Sequence, residues 1–218
     1  KMVLCAYGPR LLAKGGKYPI ANVIKLLMER TTSRQGVIQL FDAGDVATHH
    51  AGIPCTCTLQ VMIRNDRLIM ITSMRSNDVF IGLPYDVFAF TMIQEILART
   101  LGVDVGTYKH AVGSLHLYER DRKKDKQYVN EGWQETRSMT SMPDTNAWPE
   151  LRTWLELGTR MGKHSAVQPG GQQCEEYWQD FVRLLQIFHH RKGKNAQAIA
   201  KIRRTMSSRI YDTYIVTR

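Results

Sequence analysis

Apolar positions along the chain recur at two periods. Val23, Ile24, Leu26, Leu27 and Met28 recur at helical spacing and predict a buried helix face over Ile20–Arg30. Tyr7-Gly8-Pro9-Arg10, ahead of it, reads as a turn. Thr31-Thr32-Ser33-Arg34 ends the helix before a strand at Val37–Phe41. Leu59–Ile63 and Leu68–Thr72 are β-rich runs joined through Asn65-Asp66, a hairpin signal. Phe90, Ile93, Ile96 and Leu97 form a stripe that predicts a helix over Asp86–Leu101, with Asp86 suited to the N-cap and Gly102 to the stop. Residues 112–118 predict a strand with His116 and Tyr118 on one face.

The remainder is more helical. Glu119–Lys126 reads as a charged, exposed loop and Gly132–Pro149 as irregular. Pro149–Gly162 and Glu175–Arg191 are amphipathic, the second buried through Trp178, Phe181, Leu184, Leu185 and Phe188. Ala196–Ile210 reads as a basic helix. No internal repeat is visible. Strands interleaved with helices predict an α/β (α+β) fold, a mixed sheet with packed helices. One domain over 1–218 is expected, its last third divergent and largely helical.

Composition adds bounds. A chain of 218 residues with 43% hydrophobic residues can bury one sizeable core. No apolar run reaches the ~18 residues of a membrane span, and no secretory signal is visible. Four cysteines do not read as a disulfide framework, so a reduced, cytoplasmic setting is expected. The chain opens Lys1-Met2, and an upstream segment is expected. Thirty basic against 20 acidic residues leave a charge of +10, which favours anionic partners: a nucleotide, a polyglutamylated cofactor or nucleic acid. Much of the excess lies in Arg191, Lys192, Lys194, Lys201, Arg203 and Arg204, which equally suit a solvated helix face.

Candidate chemistry centres on Cys55, which follows Pro54 at the mouth of the first hairpin strand. The hairpin returns the chain to its start, so Arg75, 20 residues on, can lie beside Cys55. An arginine next to a thiol favours the nucleophilic thiolate. A lone cysteine is more commonly a buried structural thiol, but the Arg75 spacing argues for catalysis. His49 and His50 with Cys55 and Cys57 match no common zinc spacing, so no metal is expected and Cys57 is assigned to the core. Gly170-Gly171 is too short for a phosphate loop.

Pro54-Cys55, then Arg75-Ser76-x-Asp78-Val-Phe-x-Gly82-Leu-Pro84-x-Asp86, then His116-Leu-Tyr118 together resemble the thymidylate synthase family, over roughly Tyr7–Tyr118, about half the chain. The resemblance implies covalent catalysis, with Cys55 adding to C6 of a pyrimidine nucleotide and 5,10-methylenetetrahydrofolate as one-carbon donor. It assigns Arg75 and Ser76 to the phosphate, His116 and Tyr118 to the sugar hydroxyl, Asp78 to the pterin and Gly82 to the folate wall. Tyr7 would lie near the cysteine. Arg34 would reach the phosphate of a partner protomer, which implies a homodimer; Gln35 stands where a second arginine is expected. The family's upstream segment carries another phosphate-loop arginine and a glutamate.

Asp86 departs from the thymidylate-forming members, which have asparagine there; in the family, aspartate marks the cytidylate hydroxymethylases. An aspartate can accept from the cytosine amino group and, when protonated, donate to N3. Thr56, where the synthases have histidine, points the same way. The expected function is therefore folate-dependent 5-hydroxymethylation of dCMP or CMP. The alternatives are C5 methylation of a uridylate, or a catalytically weakened relative that binds nucleotide or RNA.

Overall fold

The computed structural model describes residues 6–13, 15–47, 52–133, 136–145, 147–161 and 175–216. The chain divides into two compact units, Lys1–Gln134 and Glu135–Arg218. In chain order the first holds α1 (Tyr7–Leu12), α2 (Pro19–Glu29), β1 (Val37–Gln39), α3 (Gly44–Ala47), β2 (Thr56–Arg64), β3 (Arg67–Met74), β4 (Asn77–Asp78), α4 (Gly82–Leu101), β5 (Asp104–Val112), β6 (Leu115–His116) and α5 (Arg122–Asn130). The second holds α6 (Ala147–Met161), α7 (Glu176–Lys192), α8 (Ala196–Arg204) and α9 (Asp212–Val216).

The fold is a mixed sheet with packed helices, as expected. Its strands lie in the order β1-β2-β3-β5, with β1–β2 and β2–β3 antiparallel and β3–β5 parallel. The hairpin closes through Asn65 and Asp66 at φ 52° and 55°. Both central residues of such a two-residue turn need positive φ, which asparagine and aspartate tolerate. Alternation buries Leu59, Val61, Ile63, Leu68, Met70, Thr72 and Met74. Helices α2 and α4 pack on the sheet and on each other, burying Ile20, Val23, Leu27, Phe90, Ile96 and Leu97.

Gln94 was not anticipated. The β3–β5 register slips between Leu68 and Met70, and Gly106 fits there because a Cβ would stand 2.9 Å from the Leu68 carbonyl oxygen. Such a bulge leaves ladder carbonyls without their usual donors. From α4, fully buried Gln94 donates through Nε2 to Leu68 O at 2.7 Å, Gly106 O at 3.1 Å and Thr107 O at 3.4 Å. Gln94→Leu keeps the volume but strands these acceptors, so it is expected to cost about 1–3 kcal/mol. A urea midpoint equal to wild type would contradict that role.

Several boundaries differ from expectation. Tyr7–Arg10 is not a turn but most of α1, with Pro9 in the first turn, where its missing N–H matters least. β1 stops at Gln39 because Leu40 N and Phe41 N both donate to Cys57 O, which bends the strand. Met28 is exposed rather than buried. The strand expected over 112–118 is broken at Gly113-Ser114; the long strand is β5, and Tyr118 lies past β6. Glu119–Lys126 is a 3-10 turn leading into α5, not a loop.

In the second unit, Ile187, Met206 and Ile215 form a core with Leu184, Ile199, Ile202 and Tyr211 against it. Phe188, expected inside, is half exposed, and Ile187 takes the inward position. The basic helix ends at Arg204 instead of Ile210. There Met206 turns inward, and the amides of Ser207 and Ser208 donate to buried Asp180 at 3.0 and 2.9 Å. Gly162 and Gly170-Gly171 lie outside the described residues. Among those described, no helix is long and apolar enough to cross a membrane.

Candidate active site

The hairpin brings the two ends of the motif together. Arg75 N donates to Cys55 O at 2.9 Å, and Arg75 Nη2 stands 3.9 Å from Cys55 Sγ. The guanidinium is fixed by Nε to Pro54 O at 3.0 Å and Nη2 to Ile53 O at 3.1 Å. Arg75 is exposed, and among the described residues its Nη1 is open to an anion. Pro54 is buried and Cys55 half-buried, so the thiol is held by a packed base and still open at one side. A register shift between Thr56 and Thr58 follows at once. Bulges re-aim neighbouring side chains, and here the bulge leaves Cys57 half exposed rather than in the assigned core.

Tyr7 reaches this point from α1. Its Oη accepts from Thr56 N at 3.2 Å, and its ring packs on Phe90 at 5.9 Å between centroids. Helix α1 is anchored by Arg10, which makes a bidentate pair with Asp45 at 2.5 and 2.7 Å and donates to Leu40 O at 2.6 Å. Burial pushes the Tyr7 phenol up; contact with Thr56 opposes this, and the charges of Asp86 and Cys55 add to it. Tyr7, Cys55 and Asp86 therefore share one neighbourhood.

Asp86 is not the N-cap of α4. The helix begins a turn earlier, and Asp78 receives its free amides: Ile81 N at 2.8 Å, Gly82 N at 3.1 Å and Phe80 N at 3.3 Å. Burial works against charge on Asp78, but the bonds from Ile81, Gly82 and Phe80 outweigh it and hold the carboxyl below its ordinary value. Asp86 lies half-buried in the second turn, where burial pushes its carboxyl up and the neighbouring Asn77 amide opposes the shift.

β4 and β6 pair in parallel, with Asp78 opposite His116. Ser76 Oγ lies 3.5 Å from His116 Nδ1, and the His116 ring meets Tyr118 edge-on at 4.8 Å. Arg120 stacks over Tyr118 at 4.6 Å. Ser76, His116 and Tyr118 thus stand together, whereas Arg34 stands apart. Its carbonyl accepts from Gln60 Nε2 at 3.0 Å, five residues along the chain from Cys55, or ~16 Å of extended strand. His49 and His50 lie outside the described residues; among those described, no three His, Cys, Asp or Glu side chains cluster to hold a metal.

Sequence reasoning missed three further polar groups here. Tyr108 Oη lies 2.6 Å from His110 Nδ1, and His110 Nε2 lies 3.1 Å from the Asn77 amide. Their signal was faint: Asn77 sat in a polar cluster, and Tyr108 and His110 share one face of an unrecognised strand.

Comparison with known proteins follows the same residues. The family model described as thymidylate synthase matches residues 13–150. Thymidylate synthases of Listeria monocytogenes and Listeria innocua are each 25% identical over 111 residues, 51% of this chain and 35% of theirs. The chain thus spans about a third of the length of these relatives. The crystal structure of thymidylate synthase from T4 phage aligns with a TM-score of 0.53 at 22% identity, over 63% of this chain and 48% of that one. With the family model matching well over half of its residues, the chain belongs to the thymidylate synthase family.

Proposed function

We propose that this protein transfers a one-carbon unit to C5 of a pyrimidine nucleoside monophosphate, and that it acts on a cytidylate and leaves a hydroxymethyl group. The carrying observation is Asp86: a half-buried carboxyl, biased toward its neutral form, in one neighbourhood with Tyr7 and Cys55. A neutral carboxyl offers one donor and one acceptor, which suits N3 and the amino group of cytosine.

In this reading the Cys55 thiolate, supported by Arg75, adds to C6 and makes C5 nucleophilic. C5 forms a bond to the incoming carbon and loses its hydrogen as a proton. Water would take the place of the donor's nitrogen on the new carbon, releasing tetrahydrofolate, and the Cys55–C6 bond would break to release product. When bound, 5,10-methylenetetrahydrofolate supplies carbon at the oxidation level of formaldehyde. Asp78 fits its pterin: the carboxyl is held ionised, and among the described residues Oδ1 takes one long bond, from Phe80 N, which leaves it able to accept another. Arg75 Nη1 and Ser76 would take the nucleotide phosphate, His116 and Tyr118 the sugar hydroxyl, and Gly82 would border the folate.

Arg34, remote from its own Cys55, would serve the phosphate of a partner protomer. The second sheet face supports a homodimer, because Met62, Ile69 and Ile71 are only half-buried and Val37 and Val105 exposed. Sedimentation at equilibrium tests this, and a protein that stays monomeric would remove Arg34 from the site. The second reading, C5 methylation of a uridylate, is favoured by what the relatives are named, and a neutral carboxyl can also pair with uracil.

Release of tritium from C5 of labelled dCMP, CMP and dUMP, with tetrahydrofolate and formaldehyde, separates these readings. Release from a cytidylate but not from dUMP is expected. Release from dUMP alone would replace the hydroxymethylase reading with the methylase one. No release from any would leave a nucleotide- or RNA-binding relative, with Lys201, Arg203 and Arg204 as the basic surface to neutralise next.

A further inference from the structure

Behind Asp86 lies a line of polar side chains that the chemistry above does not use. Asn77 is 3% exposed. With its amide nitrogen toward His110 Nε2 and Met74 Sδ, both at 3.1 Å, its carbonyl oxygen is buried without a partner. An orphaned buried acceptor costs more than a weak bond to a thioether returns. The two ends of a carboxamide have the same shape, and hydrogen bonding decides which is which. Exchanging them lets Oδ1 accept from His110 Nε2–H. The imidazole Nδ1, 2.6 Å from Tyr108 Oη, then accepts from the phenol. Burial pushes the His110 imidazole down, toward the neutral form this pattern needs.

The freed nitrogen points at α4. A Cβ on Gly82 would stand 2.6 Å from that end of Asn77, so the amide lies against the bare face of Gly82. A helical side chain four residues on reaches back over that turn, which puts Asp86 beside the same end. The sequence on this face is selective: any larger residue at position 82 would displace the amide.

We propose that Tyr108, His110 and Asn77 form a one-way donor chain ending on Asp86: Tyr108 O–H to His110, His110 N–H to Asn77, and Asn77 N–H to one carboxyl oxygen. These are positioning residues. By making the inner oxygen an acceptor, the chain leaves the outer oxygen to carry the proton, so the carboxyl shows its donor and acceptor in one order. A carboxyl free to exchange them could read either cytosine or uracil. This rests on Asp86 as the base-recognising residue. The ionisable groups around Asp86 are Tyr7 from α1 with Cys55 beyond it, Tyr108 and His110 from β5, and Asp78, which borders the same turn.

The test follows the Asp86 carboxyl by 13C NMR in unliganded protein, alongside dissociation constants for dCMP and dUMP. Losing a donor favours the neutral form, so Asn77→Ala is expected to raise the proton affinity of Asp86 about tenfold. Tyr108→Phe and His110→Phe should move it the same way by less. Base discrimination should fall in the same order. A midpoint unmoved in Asn77→Ala and Tyr108→Phe overturns the chain, even if both variants are destabilised. A moved midpoint with equal affinity for the two nucleotides supports the chain and overturns only the cytidylate reading.

Discussion

Cys55→Ser is expected to lower turnover at least ~10³-fold while changing nucleotide affinity by less than about threefold. The Arg75 guanidinium stands 3.9 Å from Sγ, and a thiol, unlike a hydroxyl, ionises readily enough to act as the nucleophile. A serine hydroxyl ionises so far above neutrality that the same arginine cannot supply an alkoxide. The replacement is nearly isosteric, and the bonds that place Arg75 run to the carbonyls of Ile53, Pro54 and Cys55, which the substitution leaves intact. The phosphate side of the site should therefore survive. Single-turnover tritium release and calorimetric titration with nucleotide check the two halves separately. Turnover within tenfold of wild type would remove Cys55 from the chemistry. Loss of affinity together with rate would show that the 53–55 loop had moved.

How much of this was legible varies with the range of the interaction concerned. The hairpin was plain because two β-rich runs, Leu59–Ile63 and Leu68–Thr72, meet a two-residue turn of residues that tolerate positive φ. Its closure carried the Cys55–Arg75 approach. The start of α4 was misread because Asp86 has the right chemistry for a cap, although Pro84 just ahead of it was the contrary signal: proline is tolerated in a first turn, which puts the start before it. Strand β5 was missed because it is an edge strand whose alternation is diluted by Gly106, Lys109 and His110, with none of its residues buried. Asn77 and His110, 33 residues apart, meet only because β3 and β5 run parallel in register. No local pattern encodes that pairing. Gln94 was hidden for the same reason, since its partners exist only once the bulge forms.

Asp86→Asn is expected to reverse the base preference, changing the ratio of cytidylate to uridylate turnover by about 10⁴-fold. An amide has one fixed donor and one fixed acceptor and cannot exchange them by moving a proton. The NH2 group of the new residue would take the inner position, donating to the Asn77 carbonyl oxygen once that amide turns to donate to His110 Nε2 at 3.1 Å, and its carbonyl would take the outer one. That order reads the O4 acceptor and N3–H donor of uracil and leaves the amino group and N3 of cytosine mispaired. In the half-buried setting of Asp86 such mispairing is not relieved by water. The pH dependence should change with it. Burial raises the Asp86 carboxyl, so any binding step that needs its proton weakens as pH rises through that raised value, and the asparagine variant should lose this limb. Tritium release from dCMP and dUMP across pH measures both effects. A ratio within threefold of wild type, or a retained high-pH limb, would move base recognition away from Asp86 and onto the residues facing it.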